Sequence, residues 1–336
     1  MSVVRFFSEN ILGKLKSEIT SFGKTLKKGS RIAIKLHMGE HGNLFYLRPI
    51  YAATIVDALK QHKPFLFDSP VVYSGGRHTP ELYMETAKRN GYSRETIGAD
   101  IIISNRGVKL STELGDFDAC YEVLNCDALI VLSHFKGHPL TNFGGAIKNI
   151  GMGCFTSQSK GKLHDICRAY IANRDACIGC GACIAVCPFA YLRLKDDNKI
   201  KMSDCGGCCA CVSVCPTHAL EMKTVPLSKG LAVVTASFLR ECKAKSILYV
   251  NVLMDIAAKC DCWNYGFHNE QLELAAPNLG IMVSNNIVAI DKASLDLVNS
   301  KTDGRFSRIW KANEMWQLEK AADLGLGKLD YDLRIV

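Results

Sequence analysis

Short β-rich runs alternate with longer stretches of helical spacing along most of the chain. The β-rich runs are RIAIKL, PFLFD, DIIIS and ALIVLS, and turn residues follow each of them. Helical spacing marks RPIYAATIVDALKQH, where Pro49 suits a first turn, and TPELYMETAKRNGY, which ends near Gly91. Strands that alternate with helices predict an α/β fold with a mainly parallel sheet covered by helices.

The same alternation resumes in the last third of the chain. GLAVVTASFLREC predicts a helix, KSILYVNV and NIVAI predict strands, and DKASLDLVNS predicts a further helix. The closing RFSRIWKANEMWQLEKAADLGLG predicts one amphipathic helix with a glycine stop. Neither flank of the central cysteine-rich segment looks like a complete domain. We therefore predict one discontinuous α/β domain from residues 1–172 and 227–336, with three domains in series as the alternative.

The central segment is rich in cysteine. The chain has 16 cysteines in 336 residues, and disulfides, the usual alternative to metal binding, are typical of small secreted chains. CIGCGACIAVCP, from Cys177 to Pro188, has the spacing C-x2-C-x2-C-x3-C-P, and CGGCCACVSVCP, from Cys205 to Pro216, repeats it. This is the spacing of the bacterial two-cluster ferredoxin. Residues 173–226 therefore predict an inserted α+β two-cluster ferredoxin domain.

The doubled motif also predicts which cysteines bind together. In such ferredoxins three cysteines of a motif bind one cluster, and the fourth, before proline, serves the other cluster. We predict two [4Fe–4S] clusters, the first held by Cys177, Cys180, Cys183 and Cys215, and the second by Cys187, Cys205, Cys208 and Cys211. Cys209 is left as a spare thiol. The doubled x3-C-P ending argues against two zinc sites, which are the alternative.

Polar residues follow several of the predicted strands. Ligands of open parallel sheets bind beyond the carboxyl ends of the strands, and these ends carry Lys35, His37, Asp68, Ser69, His134 and Lys136. A single histidine at a strand end is more often structural, but several such groups at one edge indicate a site. With Lys148 from the next segment, the candidate catalytic residues are Lys148, His134, Lys136, His37 and Lys35.

The segment after the fourth run contains a candidate anion loop. Gly137 and Pro139 disfavour a helix through HFKGHP, so this stretch is predicted to be extended. NFGGAIKNIGMG then predicts a helix that starts at a glycine pair, where free backbone N–H groups would bind an anion. The residues of this loop are Gly144, Gly145 and Asn149. In the alternative interpretation, the glycines only allow close packing.

CDCWN carries two further cysteines, Cys260 and Cys262, after a predicted strand. A C-x-C pair can share a metal or form a redox pair. Unligated structural thiols are the alternative.

Four segments resemble one known family. HFKGHPLTNFGGAIKNIGMG resembles the signature of iron–sulfur proteins of the domain of unknown function 362, and IKLHMGE, DIAAKCDCWN and VAIDKASLDLVN resemble other segments of that family. The resemblance covers essentially the whole chain. It implies the α/β architecture with an inserted ferredoxin, as in some members, and it implies no particular reaction.

These observations favour an iron–sulfur redox protein, and an oxidoreductase if it has its own substrate. Electrons would pass through the two clusters to a small anionic ligand in the α/β crevice, where lysines neutralise negative charge. One alternative is a ferredoxin-like electron carrier whose α/β domain is a docking scaffold for a partner enzyme. Another is a metal or cofactor delivery protein. A redox partner protein and an anaerobic setting are expected in the first two cases.

Charge and hydropathy narrow the choice of partners and location. The net charge of +8 is scattered along the chain, which argues against a nucleic-acid partner. Apolar runs such as SILYVNVLMDIAA are interrupted by polar residues and are too short to span a membrane. Arg5 and Glu9 interrupt the region where a signal peptide would be apolar. We therefore predict a cytoplasmic protein.

Overall fold

A mixed sheet forms the centre of the protein, in a computed structural model that describes residues 1–263 and 273–336. Among these residues the sheet has eight strands in the order β16-β1-β15-β14-β7-β2-β3-β4. Its strands are β1 (Ser2–Phe7), β2 (Arg31–Lys35), β3 (Lys63–Asp68), β4 (Asp100–Ile103), β7 (Ala128–His134), β14 (Ser246–Leu253), β15 (Gly280–Ser284) and β16 (Tyr331–Ile335).

Four short antiparallel pairs lie outside this sheet. They consist of β5 (Gly107–Thr112) with β6 (Gly115–Cys120), β8 (Lys136–His138) with β9 (Asn142–Gly144), β10 (Ala169–Ile171) with β13 (Leu220–Met222), and β11 (Leu192–Leu194) with β12 (Ile200–Met202).

Helices cover both faces of the sheet. Their bounds are α1 (Ile11–Lys24), α2 (Pro49–Ala58), α3 (Pro80–Arg89), α4 (Arg94–Ile97), α5 (Tyr121–Leu124), α6 (Ala146–Gly153), α7 (Ser157–Ile166), α8 (Ala182–Val186), α9 (Ala210–Ser213), α10 (Leu227–Glu241), α11 (Ile287–Lys301), α12 (Arg305–Ile309) and α13 (Trp316–Asp323).

The predicted α/β fold and its mainly parallel sheet are confirmed. Strands β14, β7, β2, β3 and β4 run parallel to one another, and β16 runs parallel to β1, whereas β15 is antiparallel to both β14 and β1. Strand β7 is buried along its whole length because the sheet is covered on both faces. Leu129 and Val131 pack into one apolar core, and Ile130 and Leu132 pack into the other. This period of two is the pleat of a strand between two layers.

Two predicted elements of the last third are wrong. NIVAI is not a strand but the first turns of α11, because the Asn286 side chain accepts a hydrogen bond from the Ala289 N–H at 2.9 Å and caps the helix. The strand in this part of the chain is β15, which ends at Ser284, just before the helix begins. The closing helix is divided into α12 and α13. Between them, the Asn142 amide donates to carbonyl oxygens of Ser307, Trp310 and Ala312, which the interrupted helix leaves free.

The cysteine-rich segment has a small apolar cluster of its own. Strand β10 pairs with β13, so that Ala169 lies opposite Met222 and the two ends of the segment meet. Leu192, Ile200 and Leu220 form the apolar cluster together with several of the cysteines. Strands from the chain on both sides of this segment join the main sheet. Among the described residues, no helix combines the length and the apolar character that a membrane crossing requires.

Candidate functional site

Two cavities in the cysteine-rich segment gather the cysteines in two sets. One cavity is lined by four cysteines from both motifs, namely Cys177, Cys180, Cys183 and Cys215. The other is lined by Cys187, Cys205, Cys208 and Cys211, with Cys209 as a fifth cysteine. Each cavity therefore contains three cysteines of one motif and the last cysteine of the other. These are the two sets that the spacing predicts.

Backbone N–H groups point at sulfur atoms in both cavities. The Ala169 N–H donates to Cys205 Sγ at 3.2 Å, and the sulfur of Cys215 accepts hydrogen bonds from the backbone of Thr217, Ala219 and Leu220. Such donors stabilise a thiolate, which is the form that binds metal. The donor set therefore fits a thiolate-bound group.

The cysteines do not converge on a single point. In the parts of the chain that the structure describes, no three or more His, Cys, Asp or Glu side chains are close enough to share one metal ion. Among the described residues, the pair Cys260 and Cys262 likewise has no further ligand that would complete a mononuclear site.

A second group of polar side chains is buried at the carboxyl ends of the central strands, and we call it the charged centre. Lys35, at the end of β2, lies 3.0 Å from Asp68 at the end of β3. The Lys35 ammonium also donates to Asn149 Oδ1 at 2.8 Å. Tyr83 donates a short hydrogen bond to the second Asp68 oxygen. Burial, the largest single effect, raises the pKa of Asp68, but Lys35, His37 and Lys160 together with the Tyr83 hydrogen bond outweigh it and lower that pKa below its usual value.

The end of β7 contributes a histidine–carboxylate pair to the charged centre. His134 Nδ1 lies 2.8 Å from Asp261 Oδ1, and its Nε2 lies 2.9 Å from the Met254 carbonyl oxygen. Both ring nitrogens face acceptors. Lys136 lies 3.6 Å from the same carboxylate. Burial raises the pKa of Asp261, but the neighbouring His134 and Lys136 lower it to about 2.

His37 belongs to a neighbouring buried network. Arg77 Nη1 lies 2.6 Å from His37 Nε2, and Arg77 Nε donates to Glu40 at 3.0 Å. Burial and the charge of Arg77 lower the pKa of His37 to about 3, so this ring is neutral at pH 7. The Glu40 N–H donates to the Asp261 carbonyl oxygen at 2.9 Å, which connects this network to the His134 pair.

Lys148 faces the cysteine pair rather than open solvent. Its ammonium lies 3.6 Å from Cys260 Sγ. The Cys262 thiol and the His138 side chain also form hydrogen bonds with the Cys260 sulfur. These contacts, with the Cys262 hydrogen bond as the largest contribution, hold the pKa of Cys260 well below its usual value, whereas the same hydrogen bond raises the pKa of Cys262. The thiolate form is therefore favoured at Cys260 and the thiol form at Cys262.

A glycine allows the cysteine pair to reach this position. The Gly137 N–H donates to the Ala257 carbonyl oxygen at 2.8 Å, and a Cβ at Gly137 would lie 2.2 Å from the Ala258 carbonyl oxygen. Only glycine permits this contact, which places the loop from Ala257 to Cys262 beside β8. Asn264, the last residue of the CDCWN motif, lies outside the described residues.

The start of α6 differs from the predicted anion loop. A carboxylate does occupy its N–H groups, but it is the side chain of Asp291 from α11, which accepts from Ala146 at 2.7 Å and from Ile147 at 2.9 Å. A Cβ at Gly145 would lie 2.3 Å from this carboxylate. The helix terminus is therefore neutralised within the chain, and Gly145 provides room for Asp291. Burial raises the pKa of Asp291 to about 6 despite these donors.

The other two loop residues approach the predicted lysines. Gly144 lies against the Lys148 and Lys136 side chains, since a Cβ there would be 3.1 Å from Lys148 Cδ. The Asn149 amide donates to Ser133 Oγ and to the Leu132 carbonyl oxygen, both at 3.0 Å, and so fastens α6 to the end of β7. Lys148, His134, Lys136, His37 and Lys35 thus lie in one connected region.

Several residues of the charged centre were not predicted from the sequence as site residues. Arg77, Glu40, Lys160, Asp261 and Asp291 are all buried. Two of them had a visible signal, because Asp261 stands between two cysteines and Asp291 directly follows an apolar run. Lys160 donates to Ser69 Oγ at 2.8 Å, and burial lowers its pKa to about 8. Nothing near Arg77 in the sequence marks it as buried.

The cavity that Cys187 lines adjoins the charged centre. Leu140, which follows His138, lines the cavity of Cys187 and lies against Gly206. Phe189 lines the same cavity and stacks on Trp263, with ring centroids 6.3 Å apart. Trp263 directly follows Cys262. Side chains in van der Waals contact therefore connect this cavity with the cysteine pair of the charged centre.

The sequence places this α/β protein in a family without an assigned function. A family described as "Domain of unknown function (DUF362)" matches residues 32–296. The chain belongs to this family. The match contains both cysteine motifs, the charged centre and Cys260 and Cys262.

Comparisons with other proteins add little to this assignment. No curated protein matches the chain. The solved structures that match the chain include that of the lactate racemase apoprotein from Thermoanaerobacterium thermosaccharolyticum, with a TM-score of 0.39 and 11% sequence identity. The alignment covers 75% of this chain and 51% of the racemase, so the chain spans about half the length of that protein.

Proposed function

We propose that this protein is an iron–sulfur redox protein that holds two [4Fe–4S] clusters and passes electrons to the charged centre. One observation carries this proposal: each cysteine cavity is lined by the four cysteines of one predicted ligand set. The first cluster would be held by Cys177, Cys180, Cys183 and Cys215. The second would be held by Cys187, Cys205, Cys208 and Cys211.

The residues around the cysteines fit such clusters. The backbone donors to Cys205 and Cys215 stabilise thiolate ligands. When bound, a [4Fe–4S] cluster supplies one-electron transfer, at a potential that these hydrogen bonds and solvent exposure adjust. Gly206, at the cavity that adjoins the charged centre, lets Leu140 approach closely. Electron transfer towards the α/β domain is therefore favoured from the cavity of Cys187.

The charged centre supports a small anionic ligand as the acceptor. The centre contains five lysine and arginine side chains together with four carboxylates, namely Lys35, Arg77, Lys136, Lys148 and Lys160 with Glu40, Asp68, Asp261 and Asp291. Lys148 and Lys136 are the best placed to bind an anion, because both lie near the cysteine pair beside the cavity. The Asp261 carboxylate and the Met254 carbonyl oxygen position the His134 ring, which is the group from which a substrate could receive a proton.

The test is to remove one ligand and one spare thiol from the same cavity. Protein purified without oxygen should contain about eight irons, four for each cluster. Cys187→Ser should lose one cluster, seen as half of the iron and a change in the electron paramagnetic resonance spectrum of the reduced protein. Cys209→Ser, which changes the fifth cysteine of this cavity, should retain both clusters. Equal losses in the two variants, or protein without cluster iron, would contradict the proposal.

A further inference from the structure

We infer that Cys260 and Cys262 form a redox-active pair that alternates between dithiol and disulfide and reduces a small disulfide substrate. This inference rests on the proposed function, because the electrons for the pair come from the neighbouring cysteine cavity. It goes further by naming the chemical group that receives the electrons and the class of substrate. The pair supplies the two-electron step that one-electron carriers lack.

The two cysteines are separated only by Asp261, which lies in a turn. A hydrogen bond joins the Cys260 and Cys262 side chains across the turn that Asp261 occupies. The loop is held on both sides: the Asn43 amide donates to the Cys260 carbonyl oxygen at 3.2 Å, and Asp261 pairs with His134 at 2.8 Å. Bond formation between the two sulfurs therefore needs a small local movement. A disulfide that closes so short a loop is strained and easily reduced.

The surroundings of Cys260 favour a thiolate, which can accept the proton of Cys262. Lys148 lies 3.6 Å from the Cys260 sulfur, and His138 contacts the same atom. Cys260 is 3% exposed, whereas Cys262 is less buried. We therefore assign Cys262 as the sulfur that attacks the substrate and Cys260 as the sulfur that resolves the mixed disulfide.

A second close pair shows what an ordinary structural pair looks like in this protein. The thiols of Cys126 and Cys242 both donate to the Val123 carbonyl oxygen, at 3.1 and 3.7 Å. These residues precede β7 and β14, so they lie at the amino edge of the sheet, opposite the charged centre. Both pack with the apolar core. This pair is therefore a matched control for the pair beside the cavity.

The reaction balances as thiol–disulfide exchange followed by reduction. Cys262 transfers its proton to Cys260 and attacks one substrate sulfur, which breaks the substrate S–S bond and releases the first thiolate. Cys260 then loses its proton to that thiolate and attacks Cys262, which releases the second thiolate, protonated from solvent. The Cys260–Cys262 disulfide takes up two electrons, one at a time, from a one-electron donor, and one proton from solvent. Its S–S bond breaks, and the thiolate–thiol pair is restored.

The experiment follows the thiols directly. Protein with both clusters is oxidised with glutathione disulfide, a small acidic disulfide, and freed of it. Half of the sample is then reduced anaerobically with dithionite, and free thiols in both halves are alkylated and located by peptide mass spectrometry. We expect Cys260 and Cys262 to be blocked in the oxidised half and alkylated in the reduced half. Cys126 and Cys242 should be alkylated equally in both halves once the protein is unfolded.

Three variants separate this inference from the proposed function. Cys187→Ser should lose dithionite-driven reduction of the pair, whereas Cys126→Ala should retain it. Cys262→Ser should lose turnover of glutathione disulfide while keeping its full iron content. If the iron and the spectra are present but Cys260 and Cys262 label equally in both halves, the inference is wrong and the proposed function stands. If no cluster is found, the proposed function itself is wrong.

Discussion

The two cysteine cavities and the charged centre are assembled in opposite ways. All cysteines of the predicted ligand sets come from one short segment, and their spacing alone assigns them to two sets. The charged centre is assembled from the ends of β2, β3 and β7, from α6, and from the loop before residue 264. A local motif can be recognised in the sequence. A centre that depends on sheet order becomes visible only when the strands are placed.

The two regions also differ in what stabilises them. The cysteine-rich segment has a small apolar cluster, in which several members are cysteines, and segments of this size often depend on bound metal. The α/β part has two large apolar cores, one on each face of its sheet. We therefore expect the α/β part to fold without the segment, whereas the segment depends on its clusters.

The largest expected effect comes from dividing the α/β part itself. A chain that ends at Ala172 loses β14 and β15, which lie between β7 and β1 in the sheet. It should aggregate, because β7 would then present an unpaired edge. Circular dichroism and gel filtration measure this outcome.

Removal of the segment alone is the matched control. When residues 172–226 are replaced by a short flexible linker, the sheet keeps all its strands, and β10 and β13 show that the two ends lie close together. This chain should unfold in one cooperative transition. A stable monomer from the chain that ends at Ala172 would instead support domains in series.

The sequence predicts the fold better in the first half than near the carboxyl terminus. The runs of β2, β3, β4 and β7 are short and bounded by turn residues, and each forms the expected strand. NIVAI has the composition of a strand, but the cap at Asn286 starts a helix there. Composition cannot distinguish a short buried strand from the start of a buried helix.

The site was predictable where residues follow strand ends. Lys35, His37, His134 and Lys136 were found by this rule, and Lys148 by its distance from the glycine pair. The rule fails for partners that come from elsewhere, such as Asp291, which caps α6 from a helix about 140 residues later. A glycine pair before a helix indicates that an anion fits there. It does not indicate whether the anion is a ligand or an internal carboxylate.

The buried ion pair of Lys35 and Asp68 tests whether the charged centre excludes water. Asp68→Asn leaves Lys35 without its carboxylate in a position where Lys35 is only 1% exposed. We expect the free energy of unfolding to fall by about 3–5 kcal/mol, measured by urea denaturation, because an unpaired buried charge remains. Glu85→Gln removes the exposed partner of Arg89 and should cost less than about 1 kcal/mol. If Asp68→Asn and Glu85→Gln lowered the free energy of unfolding equally, the charged centre would be open to water.

A smaller effect on stability than at Asp68 is expected at Lys148, and it sharpens the difference between the two regions. Lys148→Met removes a cation from the Cys260 sulfur, so the pKa of Cys260 should rise towards that of an ordinary thiol. Because this pKa is lowered in the folded state, the thiolate stabilises the fold above the ordinary thiol pKa, and its contribution is lost as the pH falls through the lowered value. The variant should therefore lose roughly 1 kcal/mol at alkaline pH and less at acidic pH. Lys148→Arg keeps the charge and should keep the lowered pKa of Cys260. The measurement is the pH dependence of Cys260 alkylation in each variant. Identical profiles for Lys148→Met and Lys148→Arg would mean that Lys148 does not act on Cys260.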